Sequence, residues 1–170
     1  MKIGILGGSF NPVHYGHIAV ARHVVGTGLV DKVWFSLSPQ NPLKDKSILM
    51  PVEERIKLLE RALENEEDIG LTTVELELPK PSYTIDALRR LQKDNPGVEF
   101  TLIGGADILE NFPKWKSWDE IIRDFGLIIY PRGKERTQLP KSLECFSDRI
   151  KLIENAPLMD ISSTAIRNGG

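Results

Sequence analysis

The first seventeen residues, which read MKIGILGGSFNPVHYGH, constrain the fold more than any other segment of this chain. Ile3, Ile5 and Leu6 form an apolar run typical of a strand, and the residues 7–9 that follow are typical of a turn. An apolar helical pattern begins close to His17. A strand, a glycine-rich turn and a helix start are how α/β proteins hold phosphate, because the first N–H groups of a helix lack partners and its N-terminus is positive. The segment therefore predicts a nucleotide-binding turn.

Strand-like and helix-like segments alternate along the rest of the chain. Strands are predicted at residues 32–37, 71–78, 98–103, 125–130 and, as a short sixth strand, 150–153. Helices are predicted at residues 16–25, from Pro51 onward, and after Ser82 as an N-cap. This order favours a Rossmann-like, doubly wound parallel sheet of five or six strands flanked by helices, with residues 1–170 forming a single domain.

Ligands of such a sheet bind at the carboxyl ends of its strands, near the point where the strand order reverses. The segments of chemical interest all follow predicted strands, at residues 7–17, 38–44, 104–107 and 130–132. We therefore expect these segments to converge on one site.

The net charge of −2 excludes a general attraction to nucleic acid or to anionic membranes. An anionic ligand would then be held by a few well-placed cations. The single cysteine, Cys145, allows no internal disulfide and fits a reducing compartment. We find no basic-then-apolar leader and no apolar run of membrane-spanning length, so a cytoplasmic location is the expectation.

The opening segment lacks the signatures of three other sites. Its glycines do not follow the dinucleotide-binding spacing, and no Lys-Ser/Thr pair completes a P-loop. A zinc site built on His14 and His17 would need further ligands, and His23 is the one other histidine, with no cysteine pair. We therefore predict no metal ligands among the side chains. A purely structural role for the two histidines is disfavoured, since both lie beside glycine at an exposed helix start.

Residues 7–17 resemble the H-x-G-H signature of the nucleotidyltransferase superfamily, and residues 161–167, ISSTAIR, resemble its second signature. The segments PSYT at 81–84, GGAD at 104–107 and FPKWK at 112–116 narrow the resemblance to the bacterial nicotinate-nucleotide adenylyltransferases. The resemblance covers essentially the whole chain. One departure is Asn11, where many relatives carry Asp.

The resemblance implies adenylyl transfer from ATP to nicotinate mononucleotide, giving deamido-NAD and pyrophosphate by direct in-line attack without a covalent enzyme intermediate. The attacking phosphate is already ionised at neutral pH, so catalysis can depend on positioning and on stabilising charge in the transition state. The implied catalytic residues are His14, His17, Lys44 and Arg167. Implied ATP-binding residues are Gly8, Ser9, Phe10, Gly105, Asp107, Ile161, Ser162 and Ser163.

For the second substrate, the resemblance implies that Trp115 stacks on the pyridine ring and that Thr84 receives its carboxylate, with Arg132 as a further phosphate contact. Trp118 is interpreted instead as a helix residue that packs on the core. Mg²⁺ is expected to bind through the substrate phosphates, because this ion keeps much of its water.

Two other functions stay open at this stage: adenylyl or cytidylyl transfer to another phosphate acceptor such as phosphopantetheine, and a non-catalytic nucleotide-binding module. The sequence also leaves open the preference between nicotinate and nicotinamide mononucleotide and the oligomeric state, including a homo-oligomer. Members of the family generally continue well beyond the position of Arg167, so we expect this chain to be shortened at its C-terminal end.

Overall fold

Strands and helices alternate through residues 1–10, 13, 15–39, 50–131 and 137–154, which are the residues that the computed structural model describes. Within these ranges the strands are β1 (Lys2–Gly8), β2 (Lys32–Leu37), β3 (Ile69–Thr72), β4 (Glu99–Gly105), β5 (Leu127–Tyr130) and β6 (Ile150–Leu152). The α-helices are α1 (Tyr15–Gly26), α2 (Val52–Leu63), α3 (Thr84–Asp94) and α4 (Trp118–Asp124). Short 3-10 helices span Val74–Leu76, Ala106–Ile108, Phe112–Lys114 and Lys141–Arg149.

The six strands form one parallel sheet in the order β3-β2-β1-β4-β5-β6. β1 therefore lies between β2 and β4, with Ile5 opposite Trp34 on one side and Leu102 on the other. The strand order reverses at β1, which is where open sheets of this kind bind ligands. The predicted Rossmann-like parallel sheet is confirmed.

Two apolar clusters cover the two faces of the sheet. Side chains of a strand alternate between its faces, so in β1 Ile3 and Ile5 join one cluster while Leu6 joins the other. The first cluster is covered by α3 and α4, and the second by α1 and α2. Because helices pack on both faces, the strands are buried on both sides, and all four residues of β5 are buried. No helix in the described ranges is long and apolar enough to cross a membrane.

The prediction of one strand at residues 71–78 is wrong from residue 73 onward, since the strand spans Ile69–Thr72. β3 ends at Thr72, because it is an edge strand whose pairing with β2 stops where Thr72 faces Ser36. The chain then turns into the 3-10 helix Val74–Leu76, which buries Val74 in the core. The apolar alternation of this segment thus serves a tight turn as well as a strand.

The predicted N-cap at Ser82 is also wrong. α3 begins one residue later than a Ser82 cap would allow, with Tyr83 in an extended conformation as the cap residue and no side-chain cap. The first turn closes instead through the carbonyl of Tyr83, which accepts from the N–H groups of Asp86 and Ala87. Elsewhere the predicted elements occur with small shifts: β4 extends to Gly105, and β5 begins after Gly126, whose φ of 82° breaks the chain direction.

Candidate active site

A cleft of about 260 Å³ opens where the strand order reverses, at the carboxyl ends of β1 and β4. Its walls come from the ends of β1, β2 and β4, from the start of α3, and from the 3-10 helices on either side. Four residues predicted for the site line this one cleft: Gly8, Thr84, Gly105 and Trp115. The sheet therefore brings together segments that are far apart in the sequence, as predicted for Gly8 and Gly105 from their positions after strands, while Thr84 and Trp115 were implied by the family resemblance.

Glycine at position 104 leaves room for the side chain that follows the end of β4. A Cβ at Gly104 would meet Cδ1 of Ile108, in the 3-10 helix Ala106–Ile108, so that side chain would have to shift. Asp107, three residues after Gly104, does not line the cleft. It lies beside a second, more open hollow, which residues 137–140 also line.

The turn after β1 is anchored by an aromatic side chain that points inward. Phe10 has a φ of 47° and is only 2% exposed. Its ring stacks on Phe35 of β2 at 5.0 Å and meets the edge of His17 of α1, also at 5.0 Å. The Phe10 side chain is thus part of the core cluster that covers this face of the sheet. The same contact fixes the position of the His17 ring at the start of α1.

A buried arginine holds the loops that follow β1 and β2. Arg55 of α2 is 1% exposed. Its Nη1 donates to the carbonyl oxygens of Ser9 at 3.0 Å and Ser38 at 2.8 Å, and its Nη2 donates to that of Pro39 at 3.3 Å. Its Nε donates to the carbonyl of Met50 at 2.9 Å. One guanidinium thus ties two site loops to the start of α2.

The cation of Arg55 has no salt bridge with a carboxylate among the described residues, and burial lowers its pKa from the usual value. Sequence reasoning missed this residue. The signal was present, since Arg55 lies three residues after Val52 and four before Leu59, on the apolar side of α2. A charged residue on the buried face of a helix needs polar partners, and here they are backbone carbonyls.

A carboxyl group also stands in the cleft. Glu75, in the 3-10 helix after β3, accepts a hydrogen bond at Oε2 from the hydroxyl of Ser36 at 2.9 Å, and both residues line the cleft. Ser36 is buried on β2 and Glu75 is half-buried. Burial raises the pKa of Glu75, and the hydrogen bond from Ser36 opposes that rise. Sequence reasoning missed Glu75 because a strand over residues 71–78 would place it on the solvent face.

The opposite wall is built by packing. Thr84 is the first residue of α3, where helix N–H groups lack partners within the helix. Trp115 follows the 3-10 helix Phe112–Lys114, and its ring packs on buried Phe112 at 4.9 Å. Trp115 is half-buried against the core cluster and lines the cleft. Trp118 packs on the same cluster and meets Phe146 edge-on at 5.6 Å, as expected for a core-packing residue.

Several predicted site residues lie outside the described residues: His14, Lys44, Arg132, Ile161, Ser162, Ser163 and Arg167. Their roles stay predictions. Within the part of the chain that is described, no group of three or more His, Cys, Asp or Glu side chains could hold a metal ion.

Residues 5–169 match the family model described as cytidylyltransferase-like. A protein of Azobacteroides pseudotrichonymphae named "Probable nicotinate-nucleotide adenylyltransferase" is 40% identical over 167 residues, which cover 98% of this chain and 85% of the relative. A Bacteroides fragilis protein of the same name is 37% identical, over 98% of this chain and 80% of the relative.

The fold is also similar to a solved structure, that of Plasmodium falciparum nicotinic acid mononucleotide adenylyltransferase complexed with NaAD. The TM-score is 0.78 at 21% identity, over 98% of this chain and 82% of that one. At this identity the likeness concerns the fold.

Proposed function

The chain belongs to the cytidylyltransferase-like family and, within it, to the nicotinate-nucleotide adenylyltransferases, and we propose that its cleft joins ATP to nicotinate mononucleotide. The products would be deamido-NAD and pyrophosphate. One observation carries this proposal: the glycine turn after β1 and the pair Thr84 and Trp115 line the same cleft. A phosphate-binding turn and an aromatic pocket are thereby within reach of one another.

In the proposed reaction the phosphate of the mononucleotide attacks the α-phosphorus of ATP, and the bond to pyrophosphate breaks. The nucleophile is already an anion, so the chain has no proton to remove. Its task is to align the two nucleotides and to stabilise charge on the transferring phosphoryl group. The turn at Gly8, Ser9 and Phe10 offers backbone groups for the phosphates, and the positive N-terminal end of α1 lies just beyond it.

The side chains proposed to contact the phosphates are His14, His17, Lys44 and Arg167. Of these His17 is in the described part of the chain, where Phe10 orients its ring. Gly105 and Asp107 are proposed for ATP together with Ile161, Ser162 and Ser163. Arg132 is proposed as a further phosphate contact. Because Asp107 lies beside the second hollow, its contact would be with a part of ATP that extends past the strand end.

Mg²⁺ is proposed as the cofactor. Hydroxyl side chains that line the cleft, among them those of Ser36, Ser38 and Thr84, present oxygen atoms, the donor type compatible with this ion and its waters. When bound through the substrate phosphates it would neutralise their charge. The proposed compartment is the cytoplasm, a proposal supported by the single cysteine and by the need for ATP.

The proposed activity is tested by incubating the protein with ATP, Mg²⁺ and one acceptor at a time, and measuring pyrophosphate. Nicotinate mononucleotide should give turnover. Turnover with phosphopantetheine alone would instead support the other acceptor, and no turnover with any acceptor would support a binding module. Including nicotinamide mononucleotide in the series measures the preference between the two pyridine acceptors.

The role of His17 is tested by His17→Ala. If His17 acts mainly in the transition state, kcat should fall by at least about 100-fold while the KM for ATP changes little. His23→Ala is the matched control, since His23 lies on the same helix near its other end. An unchanged kcat in His17→Ala would remove His17 from the catalytic set.

A further inference from the structure

The carboxyl group of Glu75 lies in the wall of the cleft, and the adenylyl transfer described above gives it no role. It forms no salt bridge with a described residue. Among the described residues its carboxylate is hydrogen-bonded to the hydroxyl of Ser36, which donates to Oε2, so Oε1 remains for a ligand. A half-buried carboxylate without a cation is costly, and the cost falls when a cation binds beside it.

The acceptor of the proposed reaction supplies such a cation. Once the pyridine nitrogen carries ribose, the ring is a pyridinium with a formal positive charge. We propose that Glu75 is a specificity-determining residue that places its carboxylate against this pyridinium ring, an inference that rests on the proposed function. The site would then recognise the ring by its positive charge as well as by its shape.

The cleft offers separate groups for the two charges of the nicotinate ring. Thr84 begins α3, an eleven-residue helix whose N-terminal end is positive, so it suits the carboxylate substituent of the ring. The indole of Trp115 offers an aromatic face, which attracts a cationic ring. Neither Thr84 nor Trp115 carries a negative charge that could pair with the pyridinium. Glu75 lies in the same small cleft and supplies that charge.

The geometry around Glu75 supports a fixed orientation. Ser36 is 2% exposed and sits within β2, where its neighbours in the sheet are Gly7 and Thr72. A hydroxyl held by a central strand cannot follow a mobile side chain, so its bond at 2.9 Å fixes the carboxylate. Burial raises the pKa of Glu75, and a bound cation would lower it again, which favours the charged form when the acceptor is present.

The test compares two ligands that differ in ring charge: nicotinate mononucleotide and its reduced 1,4-dihydropyridine form, whose ring is neutral. Titration calorimetry gives the Kd of each for the wild-type protein, Glu75→Gln and the control Glu77→Gln. Glu77 is exposed on the same segment. We expect Glu75→Gln to raise the Kd of the pyridinium ligand about tenfold, the scale of a close charge pair, and to leave that of the neutral ligand within about twofold.

An equal loss for both ligands, or no loss for the charged one, would overturn the inference. Glu75→Gln keeps the shape of the side chain and an oxygen for Ser36, and a thermal melt shows whether it is folded. Glu75→Asp, which retains the charge, should recover part of the preference for the charged ring. A second melt does the same for this variant.

Turnover measured on the same preparations separates this inference from the proposed function. If the wild type binds the pyridinium ligand through Glu75 but releases no pyrophosphate with ATP, the inference stands and the proposed function fails. If turnover occurs and Glu75→Gln shows no charge preference, the proposed function stands and the inference fails. A wild type that binds neither ligand overturns both.

Discussion

The two walls of the cleft are held by different kinds of interaction. On the wall proposed to bind phosphate, here called the phosphate-side wall and lined by Gly8 and Ser38, the guanidinium of Arg55 donates to three backbone carbonyls at residues 9, 38 and 39. On the wall proposed to bind the acceptor, here called the acceptor-side wall and lined by the start of α3 and by Trp115, apolar packing holds the structure, with Leu88 and Phe112 fully buried.

The difference fits what each wall would present to the ligand proposed for it. A phosphate is bound largely by backbone N–H groups, so the loop that carries them cannot be covered by apolar side chains. Its inward carbonyls still need donors, and a buried guanidinium provides several in a fixed plane. A pyridine ring requires only a shaped aromatic surface, which packing can supply. Removing one directed group should therefore damage the first wall more than trimming one side chain damages the second.

The largest effect is expected for Arg55→Met. Each buried carbonyl that loses its donor costs about 1–3 kcal/mol, so the free energy of unfolding should fall by at least about 3 kcal/mol. Urea denaturation measures the loss. Arg55→Lys keeps the charge but not the planar guanidinium, so its free energy of unfolding should lie between that of Arg55→Met and that of the wild type.

Arg61→Met is the matched control, because Arg61 is exposed on the same helix. If Arg55→Met lost no more stability than Arg61→Met, the phosphate-side wall would have to be held by something other than this guanidinium.

An intermediate effect is expected for the two tryptophans of the acceptor side. Trp115→Ala should raise the KM for nicotinate mononucleotide about tenfold and leave the KM for ATP nearly unchanged. The reason is that Trp115 lines the cleft, whereas Trp118 does not. Trp118→Ala should cost about 1–3 kcal/mol of unfolding free energy without a selective change in KM, since its ring packs on Phe146 and the core. Steady-state kinetics and denaturation on both variants check this; reversed outcomes would exchange their assignments.

The smallest effect concerns Glu75, which lies between the walls. Burial raises its pKa above the ordinary value of 4.5, so the folded state holds this proton more tightly than the unfolded chain does. Stability from this group is therefore present below the ordinary pKa and is lost as the pH rises through the raised one. At pH values above that window, the melting temperature of Glu75→Gln should match or slightly exceed that of the wild type. At pH values below it, any gain in melting temperature over the wild type should vanish.

The exposed control Glu77→Gln should show no such pH dependence relative to the wild type. A Glu75→Gln protein that loses stability as the pH rises, compared with the wild type, would contradict the sign of this prediction. The other ionisable side chain among the described residues that line the cleft is the phenol of Tyr130.

Most of the fold could be predicted from local patterns. Parallel strands and helices have distinct apolar periods, so the sheet, three of its helices and the convergence of the turns at Gly8 and Gly105 followed from the sequence. Thr84 and Trp115 were implied by the family resemblance instead. The end of β3 did not, because alternation at residues 71–78 fits a strand and a 3-10 turn equally well. The edge position of β3 decides between them, and strand order is not a local property.

The residues that sequence reasoning missed share one reason. The partners of Arg55 are backbone carbonyls, which every residue has, so no residue type marks them. Glu75 and Ser36 are 39 positions apart, and their contact exists only because β2 and β3 are neighbours. Asp107 was predicted for the site because it follows β4. It lies beside the second hollow instead, since it belongs to the 3-10 helix that begins directly after that strand.

The position of β1 at the centre of the sheet also sets the order in which the protein can assemble during synthesis. Its first edge pairs with β2, where Ile3 meets Lys32, but its second edge waits for β4, where Ile3 meets Phe100. Until that distant strand leaves the ribosome, β1 exposes an unpaired apolar edge of the kind that promotes aggregation. The glycine turn after β1 is synthesised early, but the sheet around it is complete only after β4 is synthesised. A chain released from the ribosome before β4 would therefore leave one edge of β1 unpaired.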